Sequence, residues 1–158
     1  MRNLKHMQSN FQRKDSKSNA HAGKLFELQI LDFFNETYNL ELIENIKVPV
    51  GISTQTERKL KAFDLGKVGE VVVECKSHKW TETENAPSAK MATWNEAMFY
   101  FHLVPVGYRK IFVVEKSLNS KRNITLAKYY LNTHGHLIPD DVEIWEFCSI
   151  EMNGNRIK

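Results

Sequence analysis

KAFDLGKVGEVVVECK, residues 61–76, reads as two short strands, Ala62-Phe63-Asp64-Leu65 and Val71-Val72-Val73-Glu74-Cys75-Lys76, joined around Gly66-Lys67-Val68-Gly69. A β-branched run next to a turn that carries two glycines is a hairpin signature. Side chains on a strand alternate between faces, so Val71, Val73 and Cys75 point one way while Val72, Glu74 and Lys76 point the other. Glu74 and Lys76 are then same-face neighbours, with Cα atoms roughly 7 Å apart. The preceding strand lies alongside, and Asp64 is its only acid. Two carboxylates and an ammonium thereby converge at one end of a sheet.

Metal-assisted phosphodiester hydrolysis uses this grouping. Carboxylate oxygens hold Mg²⁺, which keeps several waters, binds a substrate phosphate and lowers the pKa of an attacking water. A lysine beside it orients that water or steadies the charge that develops on the phosphate.

Asp64, a nine-residue gap and Glu74-Cys75-Lys76 resemble the D…(D/E)-x-K signature of the PD-(D/E)xK nuclease superfamily, which includes restriction endonucleases, Holliday-junction resolvases and several repair nucleases. Phe63 stands where the superfamily name places proline, a position that varies within it. The resemblance implies Asp64 and Glu74 as metal ligands, the main-chain carbonyl of Cys75 as a further ligand and Lys76 as the water-positioning group. It also implies Mg²⁺ as cofactor, with Mn²⁺ able to substitute, DNA as partner and a 5′-phosphate product. Two other readings stay open. Glu74 and Lys76 can be a surface pair in an unrelated α+β protein, since acids and lysines often share the solvated face of a strand. The chain can also be a non-catalytic nucleic-acid-binding or structural subunit that keeps the fold.

The whole chain sets broad bounds. Its 158 residues make one ordinary domain, and 42% hydrophobic with 26% charged residues is average for a globular protein. A net charge of +3 permits a polyanionic partner without demanding one. Cys75 and Cys148 have neither a disulfide-framework nor a zinc-pair spacing, no apolar run is long enough for a membrane span, and the basic N-terminus is not followed by an apolar signal segment. A cytoplasmic protein is expected.

Residues 1–17, rich in Arg and Lys, read as a flexible basic arm, either simply solvated or lying on phosphate backbone. Helix signals begin at Ser18-Asn19 and run through LFELQILDFFNE. At about 100° per residue, Phe26, Ile30, Leu31, Phe33 and Phe34 form an apolar arc, and Glu27 falls inside it. A helix that buries this arc also buries a carboxylate, which then needs a cation, a metal-bound water or a hydrogen-bond network, unless Glu27 simply pairs with a lysine or lies partly exposed near the helix start. The stretch AGKLFE resembles the superfamily helix that brings an acid to the metal site, which implies Glu27 as an auxiliary ligand.

Residues 40–50 alternate as a first strand. Arg58, Lys59 and Lys61 follow, either near a DNA backbone or as solvated loop charges. After Lys76, the polar run SHKWTETENAPSAK leaves the carboxyl-proximal end of a strand, where ligands commonly sit in open α/β sheets. Lys79 and His78 are candidate nucleic-acid contacts there, with ordinary loop packing as the alternative for His78. Pro87 suits the first turn of a helix whose Met91, Trp94, Met98 and Phe101 form a core stripe. Lys90 lies off that stripe and is a further candidate contact. A strand over 109–116, a helix over 124–135 capped by Asn123, a strand over 142–149 and a polar tail over 151–158 complete the chain.

The expected class is α/β with a mixed sheet, in the order α-β-β-β-α-β followed by an additional α-β. Residues 18–150 form the single domain, and the order over residues 18–115 resembles the restriction-endonuclease-like core. One such site cuts one strand, so cleavage of a duplex calls for a homodimer or two binding events.

Overall fold

The structure, a computed structural model, describes the backbone of residues 5–158 and the side chains from residue 17 onward. Helix α1 (Lys5–Tyr38) leads into β1 (Ile43–Val50), β2 (Lys59–Lys67) and β3 (Val71–Lys76). Helix α2 (Ser88–Leu103), β4 (Arg109–Glu115), the short β5 (Leu118–Asn119) and β6 (Ile124–Thr125), α3 (Leu126–His134), β7 (Val142–Cys148) and β8 (Asn153–Arg156) follow. The expected mixed α/β class is found. None of the described helices is long and apolar enough to cross a membrane.

Six strands form one mixed sheet in the order β1-β2-β3-β4-β7-β8. β1, β2 and β3 pair antiparallel through short connections, whereas β3, β4 and β7 run parallel. Parallel neighbours need crossover connections, which α2 and α3 supply. Helices on both faces explain why β3 and β4 read as nearly unbroken apolar runs. On one face, Phe26, Ile30 and Phe34 of α1 cover Leu65, Val71, Val73, Cys75, Ile111, Val113, Trp145 and Phe147. On the other, Met91, Trp94 and Phe101 of α2 with Leu126 and Tyr130 of α3 cover Phe63, Val72, Phe112, Val114 and Ile144. The expected alternation along β3 is therefore observed.

Several boundaries differ from the sequence reading, each for a physical reason. The helical backbone of α1 begins at Lys5, ahead of Ser18-Asn19, so part of the expected N-terminal arm is helix. Side chains of residues 1–16 lie outside the described residues. β1 starts at Ile43 because Asn39 and Glu41 adopt positive φ and the Asn35 amide brackets Leu42, donating to its carbonyl at 3.0 Å and accepting from its N–H at 2.7 Å. Thr125, not Asn123, caps α3, accepting from the N–H of Lys128, while Asn123 takes a positive φ of 49° in the β5–β6 connection. The polar tail contains β8, paired antiparallel with β7.

The feature that shapes the site is a fork. β2 and β3 pair from Leu65↔Val73 to Lys67↔Val71. Beyond Leu65, β2 turns its faces over. Phe63 packs on the α2 side and Leu65 on the α1 side, although residues two apart on a regular strand share a face. The neighbouring strand turns over in step: Glu44, opposite Leu65, pairs with Lys24 of α1, whereas Ile46, opposite Phe63, packs on the α2 side. The residue between them, Asn45, has a φ of 53°, and Asp64 is the residue between Phe63 and Leu65.

Gly66 sits at the closed end of this fork. A Cβ there would overlap the Ile46 side chain and the Val71 carbonyl oxygen, and the latter is backbone that cannot rotate aside. Gly66→Ala is therefore expected to destabilise the fold by about 1–3 kcal/mol or more. Urea unfolding checks this, and a variant as stable as the parent would show that the strands are not this close.

Candidate active site

Three of the residues singled out in the sequence meet at the fork. Past Leu65 and Val73, the Cys75 N–H donates to Asp64 Oδ2 at 2.7 Å, so a side-chain carboxylate takes the place of a strand carbonyl. Glu74 is buried on the α2 side, and Lys76 Nζ donates to its Oε1 at 2.8 Å. Lys61 Nζ stands 3.8 Å from Glu74 Oε2 and lies over the rings of Phe63 and Tyr100. Glu74 Oε2 is buried with no hydrogen-bond partner. The Lys61 ammonium offsets its charge without reaching hydrogen-bond distance, which leaves room for a water or a second cation as its partner.

Charges at the fork act on one another. Asp64 has its pKa pushed up to about 6, first by burial, then by the charge of Glu74, with Glu27 adding to it and the Cys75 N–H opposing. Two carboxylates that raise a pKa in this way repel each other, and a bound divalent cation relieves that repulsion. Burial alone lowers the pKa of Lys76, but the charge and hydrogen bond of Glu74 outweigh it and hold the amine above its usual range. Lys76 is thus an ammonium that donates hydrogen bonds, not a free base. Burial also pushes the Cys75 thiol well up, with Asp64 and Glu27 adding to the effect, so its side chain stays a protonated thiol. Any metal contact by Cys75 then falls to its carbonyl.

Of the two sequence readings of Glu27, the buried one is not found and the lysine-paired, partly exposed one is. Its side chain is 23% exposed, not buried, and pairs with Lys24 at 3.2 Å, because the α1 arc turns Phe26 and Ile30 to the sheet and leaves Glu27 at the margin. It still lies close enough to Asp64 for its charge to raise the Asp64 pKa. Among the described residues, no three His, Cys, Asp or Glu side chains form a ready metal-holding group. Mg²⁺ commonly takes only one or two carboxylates and keeps its waters, so the Asp64 and Glu74 pair, the orphaned Oε2 and an available main-chain carbonyl suit such an ion.

His78, Lys79 and Lys90 come together elsewhere, in a cleft of about 500 Å³ bordering the fork. Its walls are Leu25, Phe26 and Gln29 of α1, Ser77 to Lys79 after β3, and Pro87 and Lys90 at the start of α2, with Glu115 and Ser149 also lining it. The cleft thus lies at the carboxyl ends of the parallel strands β3, β4 and β7. Lys79 and Lys90 are exposed, while His78 is half-buried and its Nδ1 accepts from the Trp94 indole N–H at 3.0 Å. Two features escaped the sequence reading. Trp94 belongs to the core stripe and also holds His78, and Lys61 reaches Glu74 because β2 turns over at Asp64, which no local pattern announces.

Compared with family models, with curated proteins and with solved structures, the chain gives no match in any of the three.

A stability test follows from Asp64. In the unfolded chain its carboxyl ionises near the ordinary 3.8, whereas in the folded chain it holds its proton up to about 6. Between those values the folded state binds more protons, so stability falls as pH rises through the interval and the penalty is complete above it. Asp64→Asn keeps an acceptor for the Cys75 N–H and removes the charge. It is expected to stabilise the metal-free protein by roughly 2–3 kcal/mol at pH 8 and by almost nothing at pH 3.5. Urea unfolding at the two pH values checks this, and an Asn variant less stable than the parent at pH 8 would contradict the account.

Proposed function

We propose that this protein is a metal-dependent endonuclease that hydrolyses phosphodiester bonds in DNA, built on a restriction-endonuclease-like core that spans α1 through β4. The observation that carries the proposal is the carboxylate pair of Asp64 and Glu74, drawn from two diverging strands, with the Lys76 ammonium 2.8 Å from Glu74. Asp64, Glu74 and the Cys75 carbonyl would hold Mg²⁺, or Mn²⁺ in its place, with Glu27 as an auxiliary group at the margin. Bound there, the cation supplies a Lewis acid for the phosphate oxygens and lowers the pKa of the attacking water.

The protein groups have separate tasks. The Cys75 N–H fixes Asp64 Oδ2 at 2.7 Å, which sets the orientation of the carboxylate and leaves Oδ1 for a ligand. Lys76 directs its N–H bonds at the same place, orienting the nucleophile and offsetting the charge that grows on the phosphate. Lys79 and Lys90 add positive charge along the neighbouring cleft, where a nucleic-acid backbone would lie. A cytoplasmic setting suits the two free thiols, Cys75 and Cys148. One site cuts one strand, so a homodimer is the proposed form for cutting both.

Ion pairing in the structure favours a second reading. Glu74 is already paired with Lys76 and Glu27 with Lys24, an arrangement that a non-catalytic nucleic-acid-binding or structural subunit could keep unchanged.

Two measurements separate these readings. Mg²⁺ or Mn²⁺ is expected to raise the melting temperature of the parent protein but not of Asp64→Asn, and the absence of any shift in the parent would favour the non-catalytic subunit. On plasmid, branched and single-stranded DNA with Mg²⁺, Lys76→Ala is expected to lower the cleavage rate by roughly 10²–10⁴-fold while binding measured in Ca²⁺ persists. Undiminished cleavage by a folded Lys76→Ala protein would remove the assigned mechanism.

A further inference from the structure

Trp94 is fully buried in α2, and its indole N–H points at His78 Nδ1 across 3.0 Å, with the two rings nearly parallel at 16°. An indole nitrogen only donates, so Nδ1 must carry the lone pair, and a neutral imidazole then keeps its proton on Nε2. Among the described residues Nε2 meets no partner, and the ring forms part of the cleft wall. Lys79 and Lys90 line the same cleft. Glu115, the one acid among the described residues that line it, is engaged by the hydroxyl and N–H of Ser149. Burial, joined by the charges of Lys76 and Lys90, pushes the His78 pKa down to about 4, so the ring stays neutral at physiological pH.

Every free polar group that this wall presents from His78, Lys79 and Lys90 is a donor, and two of the three carry positive charge. The complementary ligand is an anion rich in acceptor oxygens. His78 also follows Lys76 closely in the chain, which sets the cleft beside the fork. We infer that the cleft seats a backbone phosphodiester next to the one that is cut, with His78 donating a neutral Nε2–H and Lys79 and Lys90 supplying the charge. Trp94 is the positioning residue that fixes the imidazole tautomer. The inference rests on the nuclease reading for its substrate, but its test does not depend on cleavage.

Binding is measured with the full chain and a short single-stranded oligodeoxynucleotide in EDTA, where no cutting occurs. His78→Phe keeps the ring volume and removes the donor, and is expected to weaken binding about tenfold. His78→Gln, whose amide N–H replaces the one on Nε2, is expected to stay within about threefold of the parent. Nitrogen NMR of the parent should show His78 as the Nε2–H tautomer with no titration between pH 5 and 8. In Trp94→Phe the tautomers should mix and the ring should begin to titrate. If that core variant does not fold, the parent spectrum and the two His78 variants decide. A proton on Nδ1, titration of the parent ring within that range, or equal affinity of His78→Phe and the parent would overturn the inference. Plasmid cleavage in Mg²⁺, assayed separately, keeps the two claims apart. Weakened binding by a chain that never cuts retains the phosphate site and removes the nuclease reading, whereas normal cutting with unaltered binding removes the phosphate site alone.

Discussion

The site depends on the hydrogen bond from the Cys75 N–H to Asp64 Oδ2. An N–H just beyond the paired end of an antiparallel ladder needs an acceptor, and here a carboxylate on the adjacent strand provides it. This bond lets β2 part from β3 after three residue pairs without orphaning a buried donor. Once the strands part, Asp64 is held between the two faces of the sheet, near Glu27 on the α1 side and Glu74 on the α2 side. Neither carboxylate is at ease there. Asp64 resists ionisation and Glu74 keeps one oxygen without a donor. Such stored repulsion is what a divalent cation relieves on binding, and perturbed groups of this kind gather at functional sites.

The surrounding fold makes the fork rigid. β3 is the central strand that joins the antiparallel hairpin to the parallel half, paired along its whole length with β4. Helices cover both of its faces, so Glu74 and Lys76 are fixed by a packed core and not by a loop. The cleft beside the fork belongs to the parallel half, at the carboxyl ends of its strands, where connections leave the sheet and open space for ligands. The cleft that Lys79 and Lys90 line starts at Ser77, the residue that follows Lys76 at the end of β3.

Much of this was legible in the chain because it is local. Alternation along Val71 to Lys76 set the faces of β3, the Met91, Trp94, Met98 and Phe101 stripe set α2, and the apolar centre of residues 109–116 marked a covered strand. What escaped depends on partners far away in sequence. The turnover of β2 at Asp64 is matched by Asn45 in β1, a left-handed residue whose role exists only once the strands pair. Asn153–Arg156 has no apolar pattern because it is a largely exposed edge strand, held by its ladder with β7. The Trp94 bond to His78 joins a core helix to a polar loop, and stripe counting registers only the core half of that role. The apolar arc left Glu27 open between burial and a partly exposed lysine pair, since a helical arc fixes direction and not how far its margin is covered.

The central claim is that Asp64 and Glu74 share one divalent cation at the fork. Anomalous X-ray diffraction from crystals soaked in Mn²⁺ tests it most directly. The account predicts a manganese peak within coordination distance of a carboxylate oxygen from each of these two residues, and the loss of that peak in Asp64→Asn. A well-ordered crystal with no manganese at the fork, or with manganese bound only at other acids, would contradict it.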